Sequence, residues 1–198
     1  MTIFYFIRHG LTHQNQLHLI QGRNDYPLSS TGAEEVLKIA KSYFHQGLSF
    51  DYLFSSPLSR AQASARIFKD VFKYPGKIYI DDEFIERNFG EAEGKTINDE
   101  VYEKIVNDGY QGMEKNLDIE KRMYDEVIKI GEKYPNKKIL ILSHSHAIKG
   151  LLCAIDPKRR FTDPLRNVSI TTIGYNEGVL SIIGVNELPQ DKEPKWKI

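Results

Sequence analysis

The sequence predicts an α/β fold, a three-layer α/β/α sandwich whose sheet is mostly parallel and has an antiparallel strand or hairpin at one edge. Short runs of β-branched and aromatic residues alternate along the chain with segments whose apolar residues recur at helical spacing. This alternation is typical of a parallel sheet covered by helices on both faces. Near the C-terminal end, two further strand-like runs flank a short turn that contains Gly178, which indicates a hairpin.

The composition is that of an ordinary globular domain. The chain has 198 residues, a net charge of zero and 40% hydrophobic residues, so we predict a single domain over residues 1–198. No apolar run approaches the roughly 18 residues that cross a bilayer, and the balanced charge disfavours capture of nucleic acid. We therefore expect neither a membrane nor a nucleic-acid partner. The single cysteine, Cys153, excludes an internal disulfide and fits a reducing, cytoplasmic setting. The oligomeric state has no signature in the sequence.

The first half of the chain contains two predicted strand–helix units. The segment 2–7 is a strand, and its unbroken apolar character indicates burial on both faces. After a polar turn, Thr31 and Glu34 have the spacing of a capping box and predict a helix that ends at Gly47. The second unit consists of a strand over 51–55 and a helix over 58–72.

The second half of the chain continues the alternation. The predicted elements are a strand over 77–80, a helix over 119–134, a strand over 139–142, a helix over 147–154 and hairpin strands over 168–175 and 179–185. Pro135 stops the first of these helices. Between the strand over 77–80 and the helix over 119–134 lies a polar, glycine-broken segment, about 87–118, which we predict to be a partly helical insertion or lid.

Charged and polar side chains follow three of the predicted strands. Arg8 and His9 follow the first strand, Arg60 comes shortly after the second, and His144 follows the strand over 139–142. Because ligands bind beyond the carboxyl ends of parallel strands, we expect these four side chains to lie together. Two arginines repel each other unless an anion lies between them, and guanidinium groups match phosphate oxygens. The helix after His144 adds free backbone N–H groups, so the sequence predicts a phosphate site.

Five sequence blocks carry a family resemblance. They are Arg8-His9-Gly10 with Asn15 five residues later, the loop from Gln21 to Gly32, the segment from Ser55 to Ala61, the segment from Glu86 to Gly94, and Leu142-Ser143-His144. In this order the blocks resemble the histidine phosphatase superfamily, also called the phosphoglycerate mutase-like family. The resemblance implies a phosphoglycerate mutase-like fold and phosphoryl transfer that needs neither a metal nor another cofactor. One departure is Ser145, where the family usually has glycine, and a side chain there narrows the pocket.

The resemblance also implies a role for each matching residue. A neutral His9 is the nucleophile that accepts the phosphoryl group, and Glu86 is the proton donor. The residues implied to bind the phosphate are Arg8, Arg60 and a protonated His144, with Asn15, Gln21, Gly22 and Ser145 closing the near side of the pocket.

Plainer interpretations stay open for several residues. Glu86 lies in an acid-rich stretch of the chain. In the alternative interpretation its carboxylate is only solvated, and Glu83 is the proton donor in its place. Asn15 caps a turn in its own alternative. Arg87 either contacts the substrate or reaches only the surface. The resemblance implies no role for His146.

The resemblance covers both phosphatases and mutases. In this chain the segment 96–116 is short and has no arginine, and Lys104 and Lys115 do not form the paired-arginine cluster of the mutases. We therefore predict a phosphatase that hydrolyses phosphate monoesters, with a small phosphorylated metabolite as its substrate. A phosphoglycerate mutase and a non-catalytic module that binds a phosphorylated ligand are the alternatives. No motif identifies the natural substrate.

Overall fold

Six strands and six α-helices alternate along the computed structural model, which describes residues 1–191 and residue 196. The strands are β1 (Thr2–Arg8), β2 (Tyr52–Ser55), β3 (Ile78–Ile80), β4 (Lys138–Ser143), β5 (Ile170–Asn176) and β6 (Val179–Glu187). The helices are α1 (His13–Gln16), α2 (Ser30–His45), α3 (Ser59–Val71), α4 (Asp99–Val106), α5 (Asn116–Lys133) and α6 (Ser145–Ile155). Every predicted strand and long helix is present, with ends shifted by at most three residues.

The strands form one mixed sheet in the order β3-β2-β4-β1-β5-β6. β3, β2, β4 and β1 are parallel neighbours, whereas β5 pairs antiparallel with both β1 and β6. Glu177 and Gly178 join β5 to β6 and both have positive φ, as a tight two-residue hairpin turn requires. This mostly parallel sheet with an antiparallel edge confirms the predicted fold class.

Helices cover both faces of the sheet and complete the three layers. Alternate residues of β1 point to opposite faces. Phe4 and Phe6 pack into the core formed with α5 and α6, whereas Tyr5 and Ile7 pack into the core formed with α2 and α3. This two-sided burial explains why β1 has an unbroken apolar sequence. Within the described part of the chain, none of the helices combines the length and the apolar character that crossing a membrane requires.

The register of the central strands aligns their C-terminal ends. Arg8, the last residue of β1, lies opposite Ser143, the last residue of β4, and Ser55 at the end of β2 lies opposite Leu142. The amide of His9 donates to the carbonyl of Ser143 at 3.0 Å and so continues the pairing beyond β1. The residues that follow β1, β2 and β4 therefore meet at one edge of the sheet.

The start of α2 differs from the prediction. Ser29, and not Thr31, is the N-cap, because the Ser29 hydroxyl accepts a hydrogen bond from the amide of Gly32 at 3.0 Å. The amide of Ser29 also donates to the carbonyl of Leu11, which fixes Ser29 at this position. The helix ends close to the predicted residue, and Gly47 follows it with a positive φ of 87°.

The sequence analysis did not predict the short helix α1. Its N-cap is Thr12, and the capping box forms with Asn15: the Asn15 amide donates to the Thr12 hydroxyl, and the Thr12 amide donates to Asn15 Oδ1. The box has asparagine where glutamate or glutamine is usual, so the pattern was not recognised. Asn15 therefore does cap a turn, and this contact uses its backbone N–H and its Oδ1 but not its side-chain NH2 group.

The segment 87–118 is partly helical. It contains a 3-10 turn at Gly90–Ala92 and the helix α4. Ile105 of α4 packs with Ile20 and Phe89 in a small apolar cluster that is separate from the two main cores. The segment thus lies beside the sandwich, next to the loop that follows β1.

Candidate active site

A cavity of about 200 Å³ lies at the C-terminal edge of the sheet. Eight residues that the sequence analysis singled out line it: Arg8, His9, Asn15, Gln21, Gly22, Arg60, Glu86 and Ser145. Of the two others, His144 contacts the ring of His9, and Arg87 lies elsewhere. Among the residues that the structure describes, no three His, Cys, Asp or Glu side chains are grouped as metal ligands.

His9 and His144 are neighbours because the strands that carry them are neighbours. Their ring centroids are 5.1 Å apart, and both side chains are buried. His9 Nδ1 lies 2.7 Å from the carbonyl oxygen of Gly10. A carbonyl only accepts, so Nδ1 carries the proton and Nε2 keeps its lone pair. His144 Nε2 shares a 2.7 Å hydrogen bond with the hydroxyl of Ser56.

Both imidazoles are held in the neutral form. Burial, followed by the charges of Arg60 and Arg8, lowers the pKa of His9 well below its ordinary value of 6.5. Burial and the charge of Arg60, with His9 contributing, also lower the pKa of His144 well below 6.5. The neutral His9 agrees with expectation. His144 was expected to be protonated, and this expectation is wrong for the protein without a ligand, because the protein groups around the ring all disfavour its charged form.

The guanidinium groups of Arg60, which is buried, and Arg8, which is half-buried, lie at the cavity without a carboxylate partner. Arg60 donates to the carbonyl oxygens of Gly22 at 2.7 Å and Asn24 at 2.8 Å, and Arg8 donates to that of Leu165 at 2.6 Å. Within the described residues, neither arginine forms a salt bridge, and the Nε of each has no hydrogen-bond partner. Because a buried charge is costly unless it is paired, this arrangement favours the binding of an anion.

Backbone amides hold Glu86 at the N-terminus of α6. Its Oε1 accepts hydrogen bonds from the amides of Arg87 at 2.9 Å and Ala147 at 3.0 Å, and its Oε2 accepts from that of His146 at 3.3 Å. The sequence analysis expected the first amides of α6 to bind the phosphate. Glu86 engages two of them, those of His146 and Ala147, because a helix N-terminus stabilises any nearby negative group.

The four residues expected to close the near side of the pocket all line the cavity. The hydroxyl of Thr12 donates to Gln21 Oε1 at 2.9 Å, and its amide donates to Asn15 Oδ1 at 3.2 Å. The amide NH2 groups of Gln21 and Asn15 are therefore available as donors. Gly22 has a positive φ of 56°, and a Cβ there would overlap a neighbouring side chain, so only glycine fits. Ser145 is the first residue of α6.

Arg87 lies outside the cavity, so neither interpretation of this residue is correct. Its side chain is fully buried and does not reach the surface. Its Nη2 pairs with Asp108 Oδ1 at 2.5 Å, and its Nε donates to the carbonyl of Glu114 at 2.9 Å. Both partners follow α4 in the chain. Arg87 thus fastens the residues after α4 to the beginning of the segment 87–118.

The sequence analysis missed the other half of the cavity wall. This half consists of the apolar side chains of Leu19, Ile20, Phe89, Ile97 and Ile105 and the polar side chains of Tyr102, His146 and Lys149. Lys149 had a usable signal, because it follows Ser145 by four residues and shares one face of the helix with it. Tyr102 had none, since the position of α4 depends on long-range contacts.

The chain belongs to the histidine phosphatase superfamily. The model of branch 1 of this superfamily matches residues 4–188. That range contains β2 to β6, all of β1 except its first two residues, and every residue of the candidate site. The match confirms the resemblance that the five sequence blocks carry.

The relatives of this chain include both phosphatases and a mutase. The uncharacterised phosphatase PhoE of Bacillus subtilis is 32% identical over 180 residues, which cover 89% of this chain and 90% of PhoE. The probable phosphoglycerate mutase GpmB of Yersinia pestis is 28% identical over 188 residues, which cover 87% of this chain and 85% of GpmB.

Crystal structures of a phosphoserine phosphatase from Entamoeba histolytica are similar to the whole fold. A mutant of it in complex with phosphoserine has a TM-score of 0.80 and 25% identity, and the match covers 96% of this chain and 98% of that one. The same phosphatase in complex with 3-phosphoglyceric acid has a TM-score of 0.80 and 26% identity, with 94% and 98% covered.

We predict that the protein loses stability when the pH falls below 6.5. The pKa values of His9 and His144 lie well below 6.5, and burial lowers the pKa of His146 well below 6.5 as well. The unfolded chain takes up protons on these three rings as the pH falls, whereas the folded protein does not, so stability is present above pH 6.5 and lost below it. Urea unfolding at pH 7.5 and 5.5 should differ by about 4 kcal/mol, or about 1.4 kcal/mol for each ring.

The variant His146→Phe provides the matched control. The ring of His146 packs between the aromatic rings of Phe89 and Phe161, so phenylalanine fits its surroundings. The variant should lose about a third of the pH dependence, because one of the three rings is gone. An unchanged pH dependence in this variant would contradict the assignment.

Proposed function

We propose that the protein is a phosphatase that hydrolyses phosphate monoesters through a phosphohistidine intermediate on His9. The observation that supports this most is a neutral imidazole with Nε2 unprotonated, at a cavity where the guanidinium groups of Arg8 and Arg60 lack a carboxylate partner. A neutral nitrogen attacks a phosphate dianion without charge repulsion. The two guanidinium groups stabilise the charge that the transition state carries.

In the first proposed step, Nε2 of His9 attacks phosphorus, and the bond between phosphorus and the ester oxygen breaks. The phosphoryl group stays on the ring, and Glu86 gives a proton to the departing alkoxide. Arg8 and Arg60 stabilise the equatorial oxygens. The negative charge of the bound phosphate favours a proton on His144, which then becomes a further donor.

In the second proposed step, water hydrolyses phospho-His9. Glu86, now a carboxylate, takes a proton from the water molecule as its oxygen attacks phosphorus. The bond between phosphorus and Nε2 breaks, inorganic phosphate leaves, and the lone pair returns to the ring. Glu86 is protonated again, so one cycle consumes only the ester and one water molecule.

The near-side residues are proposed to bind the remaining phosphate oxygens. Asn15 and Gln21 have amide NH2 groups available, and both line the cavity. Ser145 has a hydroxyl at the N-terminus of α6, where Glu86 engages the next two amides. We propose that this hydroxyl donates to the phosphate in their place.

The size of the cavity favours a small phosphorylated metabolite as the substrate. Sites for drug-sized ligands are roughly 300–1,000 Å³, whereas this cavity has about 200 Å³. Tyr102 and Ile105 of α4 form part of its wall. We therefore propose that the segment 87–118 is a lid insertion within a single domain.

A phosphatase is favoured over a mutase because the segment 87–118 contributes no cation to the cavity wall. Lys104 lies 4.4 Å from the ring centre of Tyr110, and Lys115 donates to the carbonyl of Asp108 at 3.0 Å. A mutase must hold its product until the phosphoryl group returns, and neither lysine is placed to do so. The similarity to GpmB makes phosphoglycerate mutase the second candidate.

We expect His9→Ala to lower the hydrolysis of p-nitrophenyl phosphate by about 10⁴-fold or more, because the nucleophile is lost. Radioactive phosphate from a labelled substrate should remain on the wild type after denaturation in base, and none should remain on the variant. His45→Ala, at the exposed end of α2, should behave as the wild type does. A wild type without phosphatase activity would favour the non-catalytic binding module, and normal turnover by His9→Ala would refute the proposal.

We expect Glu86→Gln to slow alkyl esters much more than p-nitrophenyl phosphate. An alkoxide needs a proton in order to leave, whereas p-nitrophenolate does not, so kcat/KM should fall about 100-fold for glycerol 3-phosphate and less than about tenfold for the aryl ester. Glu83→Gln is the matched control, because Glu83 is exposed and was the alternative proton donor. Equal losses on both esters would exclude Glu86 as the proton donor.

The mutase alternative is tested with 3-phosphoglycerate and a catalytic amount of 2,3-bisphosphoglycerate. We expect inorganic phosphate to form faster than 2-phosphoglycerate, because the segment 87–118 adds no cation to those that the rest of the cavity wall already has. Measuring both products in one reaction gives the ratio directly. Isomerisation that outpaces hydrolysis would identify a mutase.

A further inference from the structure

Lys149 lines the same cavity but has no part in the proposed reaction. Only 7% of this residue on α6 is exposed. Its Nζ donates to the hydroxyl of Tyr102 at 3.1 Å and to the carbonyl of Phe161 at 2.8 Å. The Tyr102 hydroxyl donates to the same carbonyl at 2.7 Å. These three groups form a closed triangle that fixes the Lys149 ammonium group at the cavity wall.

The protein does not neutralise this ammonium group. Within residues 1–191 and 196, no carboxylate lies within salt-bridge distance of Nζ. An ammonium group has three N–H donors, and the triangle uses two, so one remains. A buried ammonium group without a counter-charge is costly, and a bound anion offsets that cost.

The positive charge of Lys149 lies a short distance from the proposed phosphate pocket. Lys149 follows Ser145 by four residues on α6, which corresponds to about 6 Å along the helix axis. Both residues line the cavity. A molecule with a phosphate and a second anionic group a few bonds apart can therefore reach both places at once.

We propose that Lys149 is a specificity-determining residue that binds a carboxylate of the substrate, an inference that rests on the proposed phosphatase activity. The substrate class is then small phosphorylated carboxylic acids. One positive charge with one remaining N–H suits a carboxylate, whereas a second phosphate dianion would need several donors. Tyr102 is a positioning residue, because its hydroxyl occupies another N–H of Lys149 and fixes the direction of the third.

A pair of esters that differ only at the carboxylate tests the proposal. 3-Phosphoglycerate and glycerol 3-phosphate have the same phosphorylated carbon, and the second has CH2OH in place of the carboxylate. We expect the wild type to prefer 3-phosphoglycerate by about tenfold or more in kcat/KM. In Lys149→Met this ratio should fall by about tenfold to a hundredfold. Methionine keeps the length of the side chain, and the thermal midpoint shows whether the variant is folded.

Two further variants distinguish recognition from a structural effect. Tyr102→Phe keeps the ring but not the hydroxyl, so it should lower the ratio by a smaller factor, mainly through KM for 3-phosphoglycerate. A purely structural role would lower kcat/KM for both esters equally and leave the ratio unchanged. Lys121→Met is the matched control, because Lys121 is exposed on α5 and far from the cavity wall; its ratio should equal that of the wild type.

The preference should also depend on pH. Burial, followed by the charge of Arg8, lowers the pKa of Lys149 to about 8, so the ammonium form and the preference are present below pH 8 and lost above it. The other groups that act on Lys149 or contact it from the surrounding elements are Glu86, Asp163, Cys153, Tyr102 and His146. The phosphates of both esters are already dianions above pH 7. The ratio of the two kcat/KM values therefore reports only on recognition of the carboxylate.

The outcomes separate this inference from the proposed function. If p-nitrophenyl phosphate is hydrolysed but the wild type shows no preference within the pair, the phosphatase assignment stands and the role of Lys149 is overturned. If no ester is hydrolysed, calorimetric dissociation constants for the same pair replace kcat/KM. A preference in binding that Lys149→Met removes would then support the inference, and equal affinities would overturn it.

Discussion

The placement of two positive charges beside one buried, uncharged imidazole is the constraint on which the site depends. Burial of the ring, together with the charges of Arg60 and Arg8, lowers the pKa of His9 and keeps Nε2 without a proton. The arrangement is unfavourable in itself, so it persists only because a rigid framework imposes it. The parallel register of β1 and β4 provides that framework, since it fixes the backbone on which His9 and His144 sit. The apolar residues of β1, buried on both faces, stabilise the register and hence the charges.

The first turn of α6 shows how a single feature of the fold limits what its neighbours do. A helix N-terminus attracts one anionic group at a time, and here two amides of α6 hold the carboxylate of Glu86. Glu86 is also the only acidic side chain among the described residues of the cavity wall. Its orientation is fixed by the backbone of α6, a helix that packs on one face of the sheet, and by the amide of Arg87. In the proposed function the phosphate is therefore held mainly by side chains, and this gives a hydroxyl at position 145 a use that glycine lacks.

How much of this site is readable from the sequence depends on how local each feature is. The strands, the long helices and the meeting of His9, Arg60 and His144 follow from apolar periodicity and from the rule that parallel strands end at one edge. The capping of α2 by Ser29 was missed because a contact with Leu11, distant in the chain, decides it. Arg87 was misjudged for the same reason, since its partner Asp108 is 21 residues away. The neutral state of His144 depends on burial, which a sequence motif does not encode.

The two halves of the cavity wall come from different kinds of structure, and this has a consequence for divergence within a lineage. The proposed reacting groups come from the ends of strands, from α3 and, for Glu86, from a loop that is held by α6, whereas α4 and the loops around it supply a separate apolar surface with Tyr102. The stretch from about residue 97 to residue 107 can therefore accumulate exchanges without disturbing the framework of the sheet. Descendants that differ only there would keep the same reaction and acquire new substrates.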